Sequence, residues 1–144
     1  MTVGDLIESR KEVYSIADDL TVHEAARYLR ENQIRSVGVC DRKGRLLGVV
    51  SQSDISDKVA AENKCPAWMR VSEIMTSELT IVPPETRLDE CLRLMESHGF
   101  YHLPVTNKQG QYCGMISVRD LLTVIASDEK ARADMLEDFM FPQR

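Results

Sequence analysis

The chain has 144 residues, a formal net charge of −5, and 43% apolar against 28% charged residues. That balance suits a folded globular chain and argues against wholesale disorder. The acidic excess, with no basic stripe, argues against a nucleic-acid surface. No apolar run approaches the roughly 20 residues needed to cross a bilayer. The opening Met1-Thr-Val-Gly-Asp5 lacks the basic and apolar regions of a secretory signal. A cytoplasmic protein with neither membrane nor nucleic acid as partner is therefore expected.

In chain order, a short lead-in around Val3–Ile7 precedes an extended segment, Tyr14–Ile16. Apolar residues at Val22, Ala25, Ala26 and Leu29 have helical spacing. A strand is predicted over Ser36–Cys40, a turn at Asp41-Arg-Lys-Gly44, and a second strand over Leu46–Val50. A helix opens at Ser51. Residues 62–70 read as a linker, broken by Pro66. The series then starts again: a lead-in at Val71-Ser-Glu-Ile-Met75, an extended Thr80–Val82, and a helix with Leu88, Cys91, Leu92 and Met95 inward. Strands His102–Thr106 and Tyr112–Ile116 follow, joined by Asn107-Lys-Gln-Gly110, and a helix opens at Ser117. The tail, 127–144, carries Ala131, Met135, Leu136, Phe139 and Met140 on one face, which suits packing on its own domain or on a second subunit.

The second series is a copy of the first. A shift of 66 positions carries Gly44, Gly48, Ser51 and Asp54 onto Gly110, Gly114, Ser117 and Asp120, with no gap from Tyr14 to Ile55. The lead-ins match at a shift of 68, so the first copy holds two extra residues around Ser9–Val13. Each copy is small for independent folding. Two copies packed face to face, related by a pseudo-two-fold axis, would share a workable core. Cys40, Cys65, Cys91 and Cys113 are widely spaced, with no C-x-x-C, so neither a metal site nor a redox dithiol is expected.

Gly48-Val-Val-Ser-Gln-Ser-Asp54 and Gly114-Met-Ile-Ser-Val-Arg-Asp120 resemble the closing motif of CBS domains. Leu103-Pro-Val105 resembles the family's apolar-Pro-apolar strand, and Val71-Ser-Glu-Ile-Met-Thr76 its lead-in. The resemblance implies an α/β (α+β) fold of two CBS repeats, each β-α-β-β-α with a short preceding helix. Repeat one would cover 1–61 and repeat two 71–126. It also implies adenosine-type ligands (AMP, ADP, ATP, NAD(H) or S-adenosylmethionine) in two clefts between the copies. The motif aspartate would hold the ribose hydroxyls. Carried onto this chain, one cleft would use Tyr14, Ile16, Arg35, Ser36, Val37, Gly38, Ser51, Ser53 and Asp54. The other would use Thr80, Val82, Pro83, Thr86, Tyr101, His102, Leu103, Pro104, Ser117, Arg119 and Asp120.

The chemistry is physically sensible. A carboxylate accepts two hydrogen bonds from a vicinal diol, and a helix N-terminus favours phosphate. Ser-x-x-Asp is equally a helix-capping box, and the two roles are compatible. Thr86-Arg-Leu-Asp89 reads as a cap first and a phosphate donor second. The copies differ: Gly38 replaces the family's proline and would loosen the adenine wall, Leu20 stands opposite Thr86, and Ser53 opposite Arg119. Unequal clefts are expected, the second the tighter. No P-loop, G-x-S-x-G or H-E-x-x-H is present. The expectation is a regulatory nucleotide-binding module with no catalytic cofactor, acting as a homodimer on an effector protein. The alternative is a ligand-free dimerising scaffold.

Overall fold

The computed structural model describes residues 1–127; the apolar tail face falls outside them. Each copy builds its antiparallel hairpin in the same register. In the first, β2 (Ser36–Cys40) pairs with β3 (Leu46–Ser51), Ser36 opposite Ser51 and Val39 opposite Gly48. In the second, β4 (His102–Thr106) pairs with β5 (Tyr112–Ser117), His102 opposite Ser117 and Val105 opposite Gly114. Even the irregularity recurs, at Val39/Cys40 and Val105/Thr106. Gly44 and Gly110 take φ of +80° and +77° at the turns, which only glycine adopts without strain.

In the first copy β1 (Ser15–Ala17) adds a parallel third strand beside β2. The matching segment of the second copy does not form a strand. Only Val82 bridges Val105, because Pro104 has no N–H for the ladder bond before it and Pro84 none for the bond after it. Helix α2 (Val22–Glu31) is capped by Thr21, whose hydroxyl accepts from Glu24 N–H while Glu24 returns to the Thr21 N–H. In the second copy Arg87 stands where Thr21 does in the first, and the cap expected at Thr86 is not made. Helix α4 (Leu88–His98) has Arg87 at its N-cap with no side-chain bond, and Asp89 pairs with Arg87 and Arg93 instead.

The lead-in segments cross over. Helix α1 (Val3–Glu8), from the first copy, docks on the second: Val3 N–H donates to Thr86 O at 2.8 Å and Gly4 N–H to Pro84 O at 2.9 Å. The 3-10 turn Val71–Glu73, from the second copy, docks on the first, with Val71 N–H donating to Leu20 O at 2.9 Å. The cores follow suit. Val3 and Ile7 are buried among Leu88, Met95, Leu103, Ile116 and Leu121. Val71 and Ile74 are buried among Val22, Leu29, Val37, Val50 and Val59.

The hairpin tips complete the pseudo-symmetry. Leu46 N–H donates to Gly110 O and Tyr112 N–H to Gly44 O, at 3.2 and 3.0 Å. Across this junction the Tyr112 ring fills the space above Gly38. A β-carbon placed on Gly38 would lie 2.6 Å from the ring. The expected loosening at Gly38 is therefore not found: the missing side chain makes room for an aromatic ring from the other copy.

Ile74 is 1% exposed, and apart from Val71 the buried residues of its cluster all come from the first copy. Ile74→Ala should cost about 2–5 kcal/mol in urea unfolding and lower the cooperativity of the whole chain in one transition. A loss below about 1 kcal/mol would mean that the crossed lead-in carries little of the first core.

Candidate functional site

Helix α3 (Gln52–Ile55) and helix α5 (Val118–Ser127) both begin on a strand-ending serine with an aspartate three residues on. Each pair makes the reciprocal cap. Ser51 N–H donates to Asp54 Oδ2 at 2.9 Å and Asp54 N–H to Ser51 Oγ at 3.2 Å. Ser117 N–H donates to Asp120 Oδ2 at 2.8 Å and Asp120 N–H to Ser117 Oγ at 3.1 Å. Beyond the cap the two aspartates diverge.

Asp54 is closed in. Its side chain is 10% exposed, and Lys58 Nζ lies 2.9 Å from Oδ1. Thr76 Oγ1 donates to the same Oδ1 at 3.2 Å, and Ser51 Oγ to Oδ2 at 3.0 Å. The chain after α3 winds as a π-turn, Ser56–Ala60, with Lys58 also donating to Ile74 O at 2.8 Å. Thr76 pairs its backbone with Val49 in both directions, and Met75 lies directly over Gly48. The second lead-in thus lies across the groove beside Asp54.

Asp120 faces a cleft. A cavity of about 490 Å³ runs between the copies, within the usual size of small-molecule sites. From the first copy it takes Arg10, Glu12, Tyr14, Gln33, Arg35 and Ser36. From the second it takes Tyr101, His102, Tyr112, Ser117, Arg119 and Asp120. Arg10 Nη2 reaches Asp120 Oδ2 at 2.8 Å, leaving Oδ1 without a partner among the described residues. Arg35 and Arg119 have no ion-pair partner among the described residues. Ser36 is 6% exposed, and its hydroxyl finds no hydrogen bond. A buried, unpartnered hydroxyl in a cavity wall is costly unless something fills its place.

The cleft is locally basic in an acidic chain, with three guanidiniums against Glu12 and Asp120. Its aromatic walls are Tyr14, Tyr101 and Tyr112. Tyr28 holds Tyr14 edge-on, ring centroids 6.3 Å apart. Gln33 sits in the left-handed region, φ +54°, where the second copy has Gly99 at +72°. Backbone strain of this kind, about 1–2 kcal/mol for a non-glycine residue, concentrates at functional sites. Burial holds His102 below the ordinary histidine range; Asp120 opposes that shift and Arg35 reinforces it. His102 is thus a neutral hydrogen-bonding group near pH 7.

The cleft draws on both sets of sequence-expected residues. Tyr14, Arg35 and Ser36, expected beside Asp54, line the cleft at Asp120 together with Tyr101, His102, Ser117 and Arg119. The others lie elsewhere. Ile16, Val37 and Gly38 are buried in the first sheet, and Leu103 and Pro104 in the second; Val82 is buried beside Val105. Ser51 and Asp54 form the closed cap, Ser53 and Pro83 are exposed, and Thr80 and Thr86 are part-buried away from the cavity wall. Arg10, Glu12, Gln33 and Tyr112 were missed. The available signals were the two extra residues around Ser9–Val13 and the Gly38 that admits an aromatic ring.

Residues 3–61 and 71–127 match the CBS domain. The chain belongs to the CBS-domain family. The structure of a protein with CBS domains from Burkholderia ambifaria superposes with a TM-score of 0.79 at 28% identity, covering 90% of this chain and 96% of that one. The cytosolic domain of the Mg2+ channel MgtE, solved in complex with ATP, gives a TM-score of 0.64 at 33% identity, over 78% of this chain and 44% of that one. An uncharacterized 17.7 kDa protein of Acidianus ambivalens is 31% identical over 110 residues, 76% of this CBS pair and 65% of the relative. The chain thus spans less than two thirds of that relative's length, and 26% of MgtE from Thermus thermophilus. Among the described residues no helix is long and apolar enough to cross a membrane, and no cluster of three or more metal-ligating side chains occurs. The cysteines Cys40 and Cys91 are buried, their thiols pushed up to about 11 by desolvation, while Cys65 is exposed.

The depressed His102 fixes a sign. The unfolded chain takes up a proton near the ordinary value of about 6.5, whereas the folded chain does so only at lower pH. Stability should fall as pH drops through that window and hold steady above it. His102→Gln should flatten the fall in urea midpoints between pH 7.5 and 5.5. An unchanged slope would place the titration elsewhere.

Proposed function

We propose that this CBS pair is a regulatory adenine-nucleotide-binding module, of the AMP, ADP, ATP or NAD(H) class, that holds one nucleotide in the cleft at Asp120. One observation carries the reading: unpartnered polar groups from both copies converge on a single cavity. They are Asp120 Oδ1, the Ser36 hydroxyl and the guanidiniums of Arg35 and Arg119. The ribose diol would donate to both oxygens of the Asp120 carboxylate, the open Oδ1 and the Oδ2 that Arg10 meets in the empty cleft. Phosphate would meet Arg35, Arg119 and the N-terminus of α5. The base would lie among the tyrosines. The ATP complex of the MgtE cytosolic domain supports the ligand class.

A ligand held by both copies binds only when they are correctly disposed, so it favours that arrangement by its differential affinity. An effector would read the shift, and the module itself carries out no reaction. We read the pair as cytoplasmic and homodimeric, exposed Trp68, Ile81 and Leu122 offering apolar surface. The scaffold reading keeps one specific support: Asp54, the other motif aspartate, is already fully partnered.

Calorimetry with AMP, ADP, ATP, NAD+ and NADH should give a stoichiometry near one per chain. Asp120→Ala should weaken binding roughly 10- to 100-fold, the loss of a charged hydrogen-bond acceptor. Asp54→Ala should lower stability and leave affinity nearly intact. Binding lost through Asp54→Ala but kept by Asp120→Ala would reverse the site assignment. Silence from every ligand would leave the scaffold reading in possession.

A further inference from the structure

The two copies give an internal control for one residue that the repeat pattern does not supply. At the Asp54 end, the carboxylate and the neighbouring strand are met by chain that cannot easily leave. Thr76 pairs its backbone with Val49 in both directions, and its hydroxyl reaches Asp54. At the Asp120 end the lead-in carries its two extra residues, and a side chain takes that place. Arg10 Nη1 donates to Met115 O at 2.5 Å, and Met115 is the counterpart of Val49. Arg10 Nη2 meets Asp120 at 2.8 Å. A strand edge replaced by a guanidinium on a flexible stem is a contact that can open without breaking a ladder.

The pair also sits where a ligand would reach it. Arg10 and Asp120 are 29% and 36% exposed, at the cleft wall. An ion pair so solvated contributes little to stability. A diol can therefore displace Arg10 from Asp120 at modest cost, and the planar guanidinium fork matches phosphate oxygens well.

We propose that Arg10 is a phosphate-selecting latch: it holds Asp120 in the empty cleft, then yields Asp120 to the ribose and turns to the phosphate when a phosphorylated nucleotide enters. The latch rests on the reading of the cleft as an adenine-nucleotide site. It makes a distinction that site alone does not. A nucleotide replaces both ends of the broken ion pair. An uncharged nucleoside replaces only one, leaving Arg10 without an anionic partner, and is discriminated against. Because Arg10 belongs to the lead-in of one copy and Asp120 to the other, occupancy exchanges a bond between the copies for two bonds to the ligand.

The test is the affinity for AMP and for adenosine, measured by calorimetry on wild type, Arg10→Ala and Arg10→Lys, with urea unfolding of each variant to show that it is folded. Arg10→Ala should weaken AMP roughly 10- to 100-fold, the worth of a charged hydrogen bond, while adenosine holds or tightens, so that the preference for phosphate collapses. Arg10→Lys should restore part of the AMP affinity, keeping the charge without the fork. Equal weakening of both ligands would reduce Arg10 to a prop for Asp120 and overturn the latch. So would a phosphate preference that survives Arg10→Ala. Wild-type protein that binds neither adenosine nor any of AMP, ADP, ATP, NAD+ and NADH would remove the nucleotide reading itself, a result separate from either; where another of these nucleotides binds and AMP does not, that nucleotide takes the place of AMP in the comparison.

Discussion

The structure depends on an exchange of backbone hydrogen bonds. Val3 N–H donates to Thr86 O, and Val71 N–H to Leu20 O, so each lead-in completes the core of the other copy. Neither repeat has a finished core alone. Val3 and Ile7 are needed around Leu88 and Leu121, and Val71 and Ile74 around Val22 and Val50. Chains of this size bury little apolar surface per half, and the exchange turns two inadequate cores into two adequate ones that cannot separate. It also frames the cavity along the seam between copies, where the crossed segments and the joined hairpin tips meet.

Within that frame, two extra residues decide the functional asymmetry. The second lead-in reaches Val49 as a strand edge and covers Asp54. The first ends its helix at Glu8, packs Ile7 over Gly114, and meets Met115 through the Arg10 side chain where the second lead-in uses its backbone. Two motif aspartates of identical local geometry therefore face different surroundings. Asp54 is buried, and its charge is already met by Lys58 and Thr76. Asp120 keeps one oxygen open in a basic, aromatic cleft. Repetition provides the scaffold, and a small departure from repetition provides the site.

The hairpins, the two long helices and the serine–aspartate caps were legible because each depends on local spacing, and the shift of 66 showed the same spacing twice. Crossed lead-ins were not legible. A segment that pairs with distant chain looks the same in sequence as one that pairs with its neighbour. For that reason each expected cleft, though placed between the copies, was given residues from one copy alone, while the observed one joins Tyr14, Arg35 and Ser36 to His102 and Asp120. Gly38 was read from its own missing side chain, whereas its meaning lies in Tyr112 from the opposite hairpin. Thr86 failed as a cap because α4 begins one residue later than its spacing suggested. The extra residues near Arg10 were visible as an insertion, but only the fold shows that they aim a guanidinium at Asp120.

The central claim is that ligand is gripped from both copies at the Asp120 end of the seam. Proton–nitrogen correlation spectra of labelled protein, with and without AMP, test it most directly. The account predicts shifted amides at Ser36 in the first copy and at His102 and Ser117 through Asp120 in the second, with a shifted Arg10 side-chain signal and quiet amides from Ser51 to Asp54. Changes confined to one copy, or centred on Ser51 to Asp54, would contradict it.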